Sequence, residues 1–167
     1  MAWSVGWVAW AKRAVLPMPF CSYPITPAYS LLCTLCMLVN YGVDTFQAED
    51  EIAAVCTASG ASYAGSLGVT SSSGPGIALK AEAIGLAISA ELPLIVVNSQ
   101  RAGPSTGMPT KTEQSDLHQA VFGRNADSPL VVVASRSPSD CFDVAIEAVR
   151  LSVKYMTPAI LSPESVG

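Results

Sequence analysis

The chain of 167 residues is half hydrophobic and only 13% charged. A soluble domain ordinarily carries roughly 25% charged residues, so this composition excludes intrinsic disorder, and its length excludes a mini-protein that needs stapling. Nine Lys and Arg against thirteen Asp and Glu leave a formal net charge of −4, the wrong sign for neutralising nucleic-acid phosphates. A mean hydropathy of +0.41 with so few charges reads as a subunit whose apolar faces are covered by a partner.

The N-terminal stretch places Trp3, Trp7 and Trp10 at helical spacing, which reads as a packing face. Lys12 and Arg13 follow this apolar run, the reverse of the order in a secretory signal. The longest uncharged apolar block, 31–39, falls far short of the ~20 residues that cross a bilayer, so no membrane span is expected. From residue 20 onward, short β-rich runs at 20–25, 43–46, 67–70, 94–97, 130–134 and 158–161 alternate with helical stretches. This alternation predicts an α/β domain of three layers, with a mainly parallel sheet of about six strands and helices on both faces. Runs such as Leu94-Ile-Val-Val97 are apolar without alternation, as in strands buried on both sides.

Helix starts are expected at Thr26-Pro27 and Ser137-Pro138, each a capping hydroxyl before proline, and at a capping box of Thr110 and Glu113. A helix beginning near Glu49 carries small residues and is expected to stop near Gly60 or Gly65. Five cysteines (21, 33, 36, 56 and 141) form neither a disulfide framework nor a zinc ribbon and fit a reducing, cytoplasmic setting. Cys33-Thr-Leu-Cys36 lies in an apolar helical run and reads as buried structural cysteines, not cluster ligands; no metal ligands are expected in this chain. His118, the single histidine, reads as a surface side chain of the helix after the capping box. Ligands of open α/β sheets gather at the carboxyl ends of strands, here Thr26 and the loops 47–51, 71–76, 99–111 and 135–139.

Glu49, Asp50 and Glu51 open a helix, where carboxylates complement the helix dipole; spacing alone leaves this reading and a chemical one open. The chemical reading uses Glu51-Ile-Ala-Ala-Val-Cys-Thr-Ala-Ser-Gly60, one carboxylate leading a small-residue helix. Ile52, Ala53 and Ala54 would partly desolvate that carboxyl, which suits acid–base work. Gly74-Pro-Gly76 before a helix is a candidate anion-binding turn without a P-loop signature. The loop 99–112, rich in Gly and Pro, is long for a compact domain, and loops of that length are more often functional than not.

Four segments together carry a family resemblance: Tyr23-Pro-Ile-Thr-Pro27, Phe46-Gln-Ala-Glu-Asp-Glu-Ile-Ala-Ala54, Thr70-Ser-Ser-Ser-Gly-Pro-Gly76 and the long loop Gln100-Arg-Ala-Gly-Pro-Ser-Thr-Gly-Met-Pro-Thr-Lys-Thr-Glu-Gln-Ser-Asp116. They resemble the α subunit of 2-oxoacid:ferredoxin oxidoreductases, closest to the 2-oxoglutarate type, and the resemblance runs from about residue 20 to 161. It implies a thiamin-diphosphate-binding fold at 20–161, with a divergent N-terminal segment at 1–19 and a divergent tail at 162–167. It also implies that Glu51 lies against the aminopyrimidine and favours its imino tautomer. By the same resemblance Thr26, Arg101 and Thr106 reach the substrate, while Pro24, Ile25, Ser73, Gly74, Pro75 and Gly76 line the pyrimidine side of the cofactor pocket. An arginine fork is the sensible partner for a substrate carboxylate.

The chain lacks the Gly-Asp-Gly and following Asn that bind Mg2+ and diphosphate in such enzymes. The resemblance therefore implies a β subunit that supplies these and a [4Fe-4S] cluster, with coenzyme A, a 2-oxo acid and ferredoxin as reactants of a hetero-oligomer. The sequence departs from the family after Leu161 and before Phe20, and reads as truncated. Two rival readings stand beside this one: a non-catalytic interaction module, and a flavodoxin-like binding protein that uses Gly74-Pro-Gly76 for a phosphate. Pyruvate or another 2-oxo acid remains the alternative substrate.

Overall fold

The structure is a computed structural model that describes residues 2–162. Its elements run α1 (Ala2–Ala14), β1 (Met18–Ser22), α2 (Tyr29–Cys36), a 3-10 turn (Val39–Tyr41), β2 (Val43–Gln47), α3 (Glu51–Tyr63), β3 (Gly68–Ser72) and α4 (Gly74–Ser89). They continue with β4 (Leu94–Asn98), α5 (Leu117–Phe122), β5 (Val131–Val133), α6 (Cys141–Tyr155) and β6 (Pro158–Leu161). The six strands pair in parallel throughout, in the order β2-β1-β3-β4-β6-β5. The chain leaves β1 toward one edge and β3 toward the other, so a crevice opens between their carboxyl ends, where ligands of such sheets bind.

Strand β4 shows why its sequence is apolar without alternation. Leu94 and Val96 pack into the layer of α3, α4 and α5, whereas Ile95 and Val97 pack into the layer of α1, α2 and α6. Both faces of the strand are dry, so both residue parities must be hydrophobic. The α1/α2/α6 layer holds the bulky side chains: Trp7, Leu35 and Val149 close over Met18, Phe20 and Leu161. There α1 lies directly on α6, and a Cβ added at Gly6 would come 2.8 Å from the Phe142 carbonyl, so only glycine permits this approach. The α3/α4 layer is built from smaller residues, including Ala58, Ala83 and Ala87.

All six predicted strand runs are strands, but β1 starts and ends earlier than the run 20–25. Pro24 has no N–H for a ladder, and the Tyr23 side chain turns away to bond Glu51. The expected helix starts shift for identifiable reasons. α2 begins at Tyr29 with Ala28 as its uncapped N-cap, because the Thr26 carbonyl accepts a hydrogen bond from Arg101 and residues 26–28 form a separate turn. Ser137 does accept from the Asp140 amide at 3.3 Å, closing a turn ahead of α6, which starts only at Cys141. No capping box forms at Thr110, since Glu113 Oε2 accepts instead from the Gly103 amide, 3.0 Å away. α3 runs through Gly60 and ends at Ala64, before Gly65 at φ +91°.

Cys33 and Cys36 correct another expectation: both are exposed, because Leu32 and Leu35 occupy the inner face of α2. All five cysteines are free, and among the described residues no group of three or more His, Cys, Asp or Glu could hold a metal ion. His118 is exposed on α5, its ring tilted against Phe122 at 6.2 Å. Trp7 is fully buried and Trp10 half-buried; the side chain of Trp3 and the tail 163–167 lie outside the described residues. No described helix is long and apolar enough to cross a membrane.

Candidate active site

The acidic run at the start of α3 divides its labour. Asp50 is the N-cap, and its Oδ1 accepts from the Ala53 amide at 2.7 Å, which satisfies one of the helix's orphan donors. Glu49 is exposed. Glu51, relieved of capping, points its carboxylate at Tyr23, whose hydroxyl donates to Oε1. Among the described residues Oε2 takes no hydrogen bond. The surroundings of Glu51 are not its sequence neighbours, as expected from Ile52 and Ala53, since Ile52 is half exposed. They are Tyr23 from the loop after β1, Ser72 from β3 and Gly76 from α4: a Cβ at Gly76 would collide with Ser72 Oγ and stand 2.9 Å from Glu51 Cγ and 3.1 Å from the Tyr23 hydroxyl. Burial, reinforced by the hydrogen bond to Glu51, pushes the Tyr23 phenol well above its ordinary range, so it stays a donor.

Around the amino end of α4 lies a cleft of about 690 Å³, lined by Gly74, Pro75, Arg101, Ser105, Glu113 and Asp116 among others. Arg101 is 6% exposed; its Nη1 donates to the Thr26 carbonyl at 2.6 Å, which ties the loop after β4 to the loop after β1. Asp116 is also buried, and burial raises its carboxyl above the ordinary value while the Gly74 amide and Asn98 side chain act in the opposite sense. Ser73, the N-cap of α4, is fully buried, yet its hydroxyl caps nothing and has no partner among the described residues.

The structure thus brings together Glu51, Gly76, Ser73, Gly74, Pro75 and Arg101 around the start of α4, with Thr26 joined through its carbonyl. Pro24 is exposed and Ile25 half-buried in the loop that follows β1. Thr106 stands apart: it is exposed, and its neighbour Ser105 lines the cleft. Glu51 itself does not line the cleft but sits on the neighbouring flank of α4.

Sequence reasoning passed over Tyr23, Asp116 and Lys80 as site residues. Tyr23 opens one of the motif segments and Asp116 closes another; nothing local marks either as turned inward. Lys80 is fully buried in α4, its Nζ 2.8 Å from Thr70 Oγ1, and burial lowers its ammonium to about 8. A lone lysine in the apolar stretch Gly74-Pro-Gly-Ile-Ala-Leu-Lys-Ala81 was the available signal. Cys21, across from it on β1, is pushed up to about 11 by burial.

These features define a doubly wound parallel α/β domain with its polar groups gathered at the switch point of the sheet. A family model described as pyruvate flavodoxin/ferredoxin oxidoreductase, thiamine diphosphate-binding, matches residues 11–166, and the chain belongs to that family. It is 58% identical over 160 residues to the 2-oxoglutarate oxidoreductase subunit KorA of Mycobacterium tuberculosis, covering 96% of this chain and 24% of that one. With the 2-oxoglutarate synthase subunit KorA of Archaeoglobus fulgidus it shares 41% identity over 150 residues, covering 89% of this chain and 43% of the relative. A solved 2-oxoglutarate:ferredoxin oxidoreductase from Magnetococcus marinus, with 2-oxoglutarate, coenzyme A and succinyl-CoA bound, superposes with a TM-score of 0.88 at 40% identity, over 97% of this chain and 28% of that one. The chain therefore spans less than half the length of these relatives.

Proposed function

We propose that this chain forms the pyrimidine-binding side of a 2-oxoacid:ferredoxin oxidoreductase that converts 2-oxoglutarate and coenzyme A to the acyl-CoA and carbon dioxide, with two electrons passed singly to ferredoxin. The 2-oxoglutarate names of its relatives and their sequence identity support the substrate. A β-type partner subunit, supplying the diphosphate site, Mg2+ and a [4Fe-4S] cluster, would complete the site in a cytoplasmic hetero-oligomer. The free cysteines suit that reducing setting.

One observation carries the reading: Glu51 is released from capping by Asp50 and held by Tyr23 through one oxygen, with the other oxygen open. An acceptor so placed fits a ring nitrogen that must gain a proton, and the unpartnered hydroxyl of Ser73 is a further polar contact for a heterocycle. The chain's residues thus suit the aminopyrimidine. Thiamin diphosphate, when bound, supplies the electron sink that lets a 2-oxo acid lose carbon dioxide. Glu51 would hold a proton at its open Oε2 for the aminopyrimidine and take it back. Tyr23, kept protonated by burial, fixes the carboxylate's orientation. Gly76 keeps α4 close enough for Ser72, Glu51 and Tyr23 to meet. Arg101, its backbone contact already made to Thr26, presents its remaining guanidinium N–H groups to a carboxylate.

The test is ferredoxin reduction dependent on 2-oxoglutarate and coenzyme A, by the chain assembled with its partner subunit. Glu51→Gln should lower turnover by about 10²- to 10⁴-fold while leaving assembly intact. Undiminished turnover by the Gln variant would refute the role of Glu51. A wild-type complex that assembles but turns over neither 2-oxoglutarate nor pyruvate would refute the enzyme reading in favour of an interaction module.

A further inference from the structure

Lys80 has no part in the reaction as described, yet it is a charged group placed where charge is costly. It is 0% exposed, sealed between α4, α3 and the sheet. Its hydrogen bond from Nζ to Thr70 Oγ1, at 2.8 Å, satisfies one of three ammonium donors. A buried ammonium with one neutral partner is unfavourable unless an anion lies close by.

The positions of two residue pairs identify that anion. Thr70 and Ser72 are two apart on β3 and so face the same layer. Gly76 and Lys80 are four apart on α4 and share one flank, about one helical turn from each other. Ser72 meets Gly76 at the upper level, where the Glu51 side chain also lies; Thr70 meets Lys80 at the level below. Glu51 therefore rests one turn above the buried ammonium, and it is the strongest of the groups that stabilise the charge there. The others facing Lys80 are the Cys21 thiol from β1, and the Cys56 thiol and Asp50 carboxylate from α3.

We propose that Lys80 is a positioning residue for Glu51, a buried counter-charge beneath the carboxylate that the carboxylate in turn favours as an ammonium. The catalytic part of this statement rests on the proposed function; the coupling between the two side chains does not. While Lys80 is an ammonium, Glu51 is opposed by a positive charge from within the protein. Loss of the Lys80 proton removes it.

The coupling is tested on the chain alone, by following the lysine side-chain carbon resonances through a pH titration. Lys80 should titrate near pH 8 in the wild type. In Glu51→Gln, which removes the anion, its midpoint should fall by about one pH unit. In Asp50→Asn, which keeps the cap, it should move much less. An unchanged midpoint in Glu51→Gln, or an equal fall in Asp50→Asn, would overturn the proposal.

The consequence is tested on the assembled enzyme with Lys80→Met, neutral and of similar length. The expected result is a kcat about tenfold lower, with KM for the 2-oxo acid within about twofold and the alkaline decline of kcat near pH 8 abolished. A pH profile superimposable on the wild type would overturn the positioning role. Failure of the function reading is separately visible, because the wild-type complex would then turn over neither 2-oxoglutarate nor pyruvate, whatever the resonance titration shows.

Discussion

The two faces of one sheet are built on opposite rules. Beneath α1, α2 and α6 the strands present Met18, Phe20, Ile95 and Leu161 to Trp7 and Leu35, a layer of large hydrocarbons. Beneath α3 and α4 the same strands present Cys21, Thr70 and Ser72, and the helices answer with alanines, Gly76, Lys80 and Glu51. The first face is a source of stability through buried apolar area. The second gives up part of that stability to hold polar groups in a dry place, where electrostatic interactions are strong. Function and folding free energy are separated across a single sheet about one residue thick.

Three substitutions sharpen this contrast, taken from the largest effect to the smallest. Trp7→Ala empties the centre of the hydrocarbon face and should cost about 3–5 kcal/mol in denaturant unfolding, with the Tyr23–Glu51 contact unaffected. Lys80→Met should act in the opposite direction. The folded-state ammonium titrates near 8 against an ordinary value of 10.5, so below pH 8 both states are protonated and burial of the charge opposes folding in full. Between pH 8 and 10.5 the unfolded chain binds the proton that the folded chain has released, and stability rises with pH. The Met variant lacks this rise and should be up to about 3 kcal/mol more stable at pH 7, with the two curves converging toward pH 10.5. Cys21 works against the lysine in the wild type, because its raised thiol makes stability fall as pH climbs from 9 through about 11. Lys80 is one of the groups that lower this thiol, so the Met variant changes that contribution too, and the comparison is read at pH 7, below the Cys21 range. Gly76→Ala should cost about 1–3 kcal/mol by forcing α4 off Ser72 and Glu51, and should weaken thiamin diphosphate binding more than it weakens the fold.

The strands were legible in the sequence because their signal is local. Leu94-Ile-Val-Val97 and Leu130-Val-Val-Val133 read as strands without any knowledge of their partners, and six runs gave six strands. The helix starts were less legible, because a capping residue competes with tertiary partners. Glu113 prefers the Gly103 amide to the Thr110 backbone, and the Thr26 carbonyl is committed to Arg101. α1, set apart in the sequence as a divergent segment, packs on α6 with Trp7 at the centre of a core, since its fit depends on Gly6 meeting Phe142 and Ala145 across space. On the polar face Glu51, Gly76 and Arg101 were expected from the family resemblance of their segments. Lys80 and Asp116 were not, because what distinguishes them is burial, and burial of a charged side chain is decided by elements far away in sequence.

Lys80 also bears on how the chain finds its fold. The strand β3 offers Thr70 and Ser72 to one face and Val69 to the other. Slipping β3 by one residue against its neighbours would exchange those faces and set hydrocarbon against the ammonium, while sending two hydroxyls into the layer of Trp7 and Phe20. An all-apolar strand would pay no such penalty for misalignment. The buried lysine therefore favours one strand register, the one that sets the Thr70 hydroxyl against its ammonium.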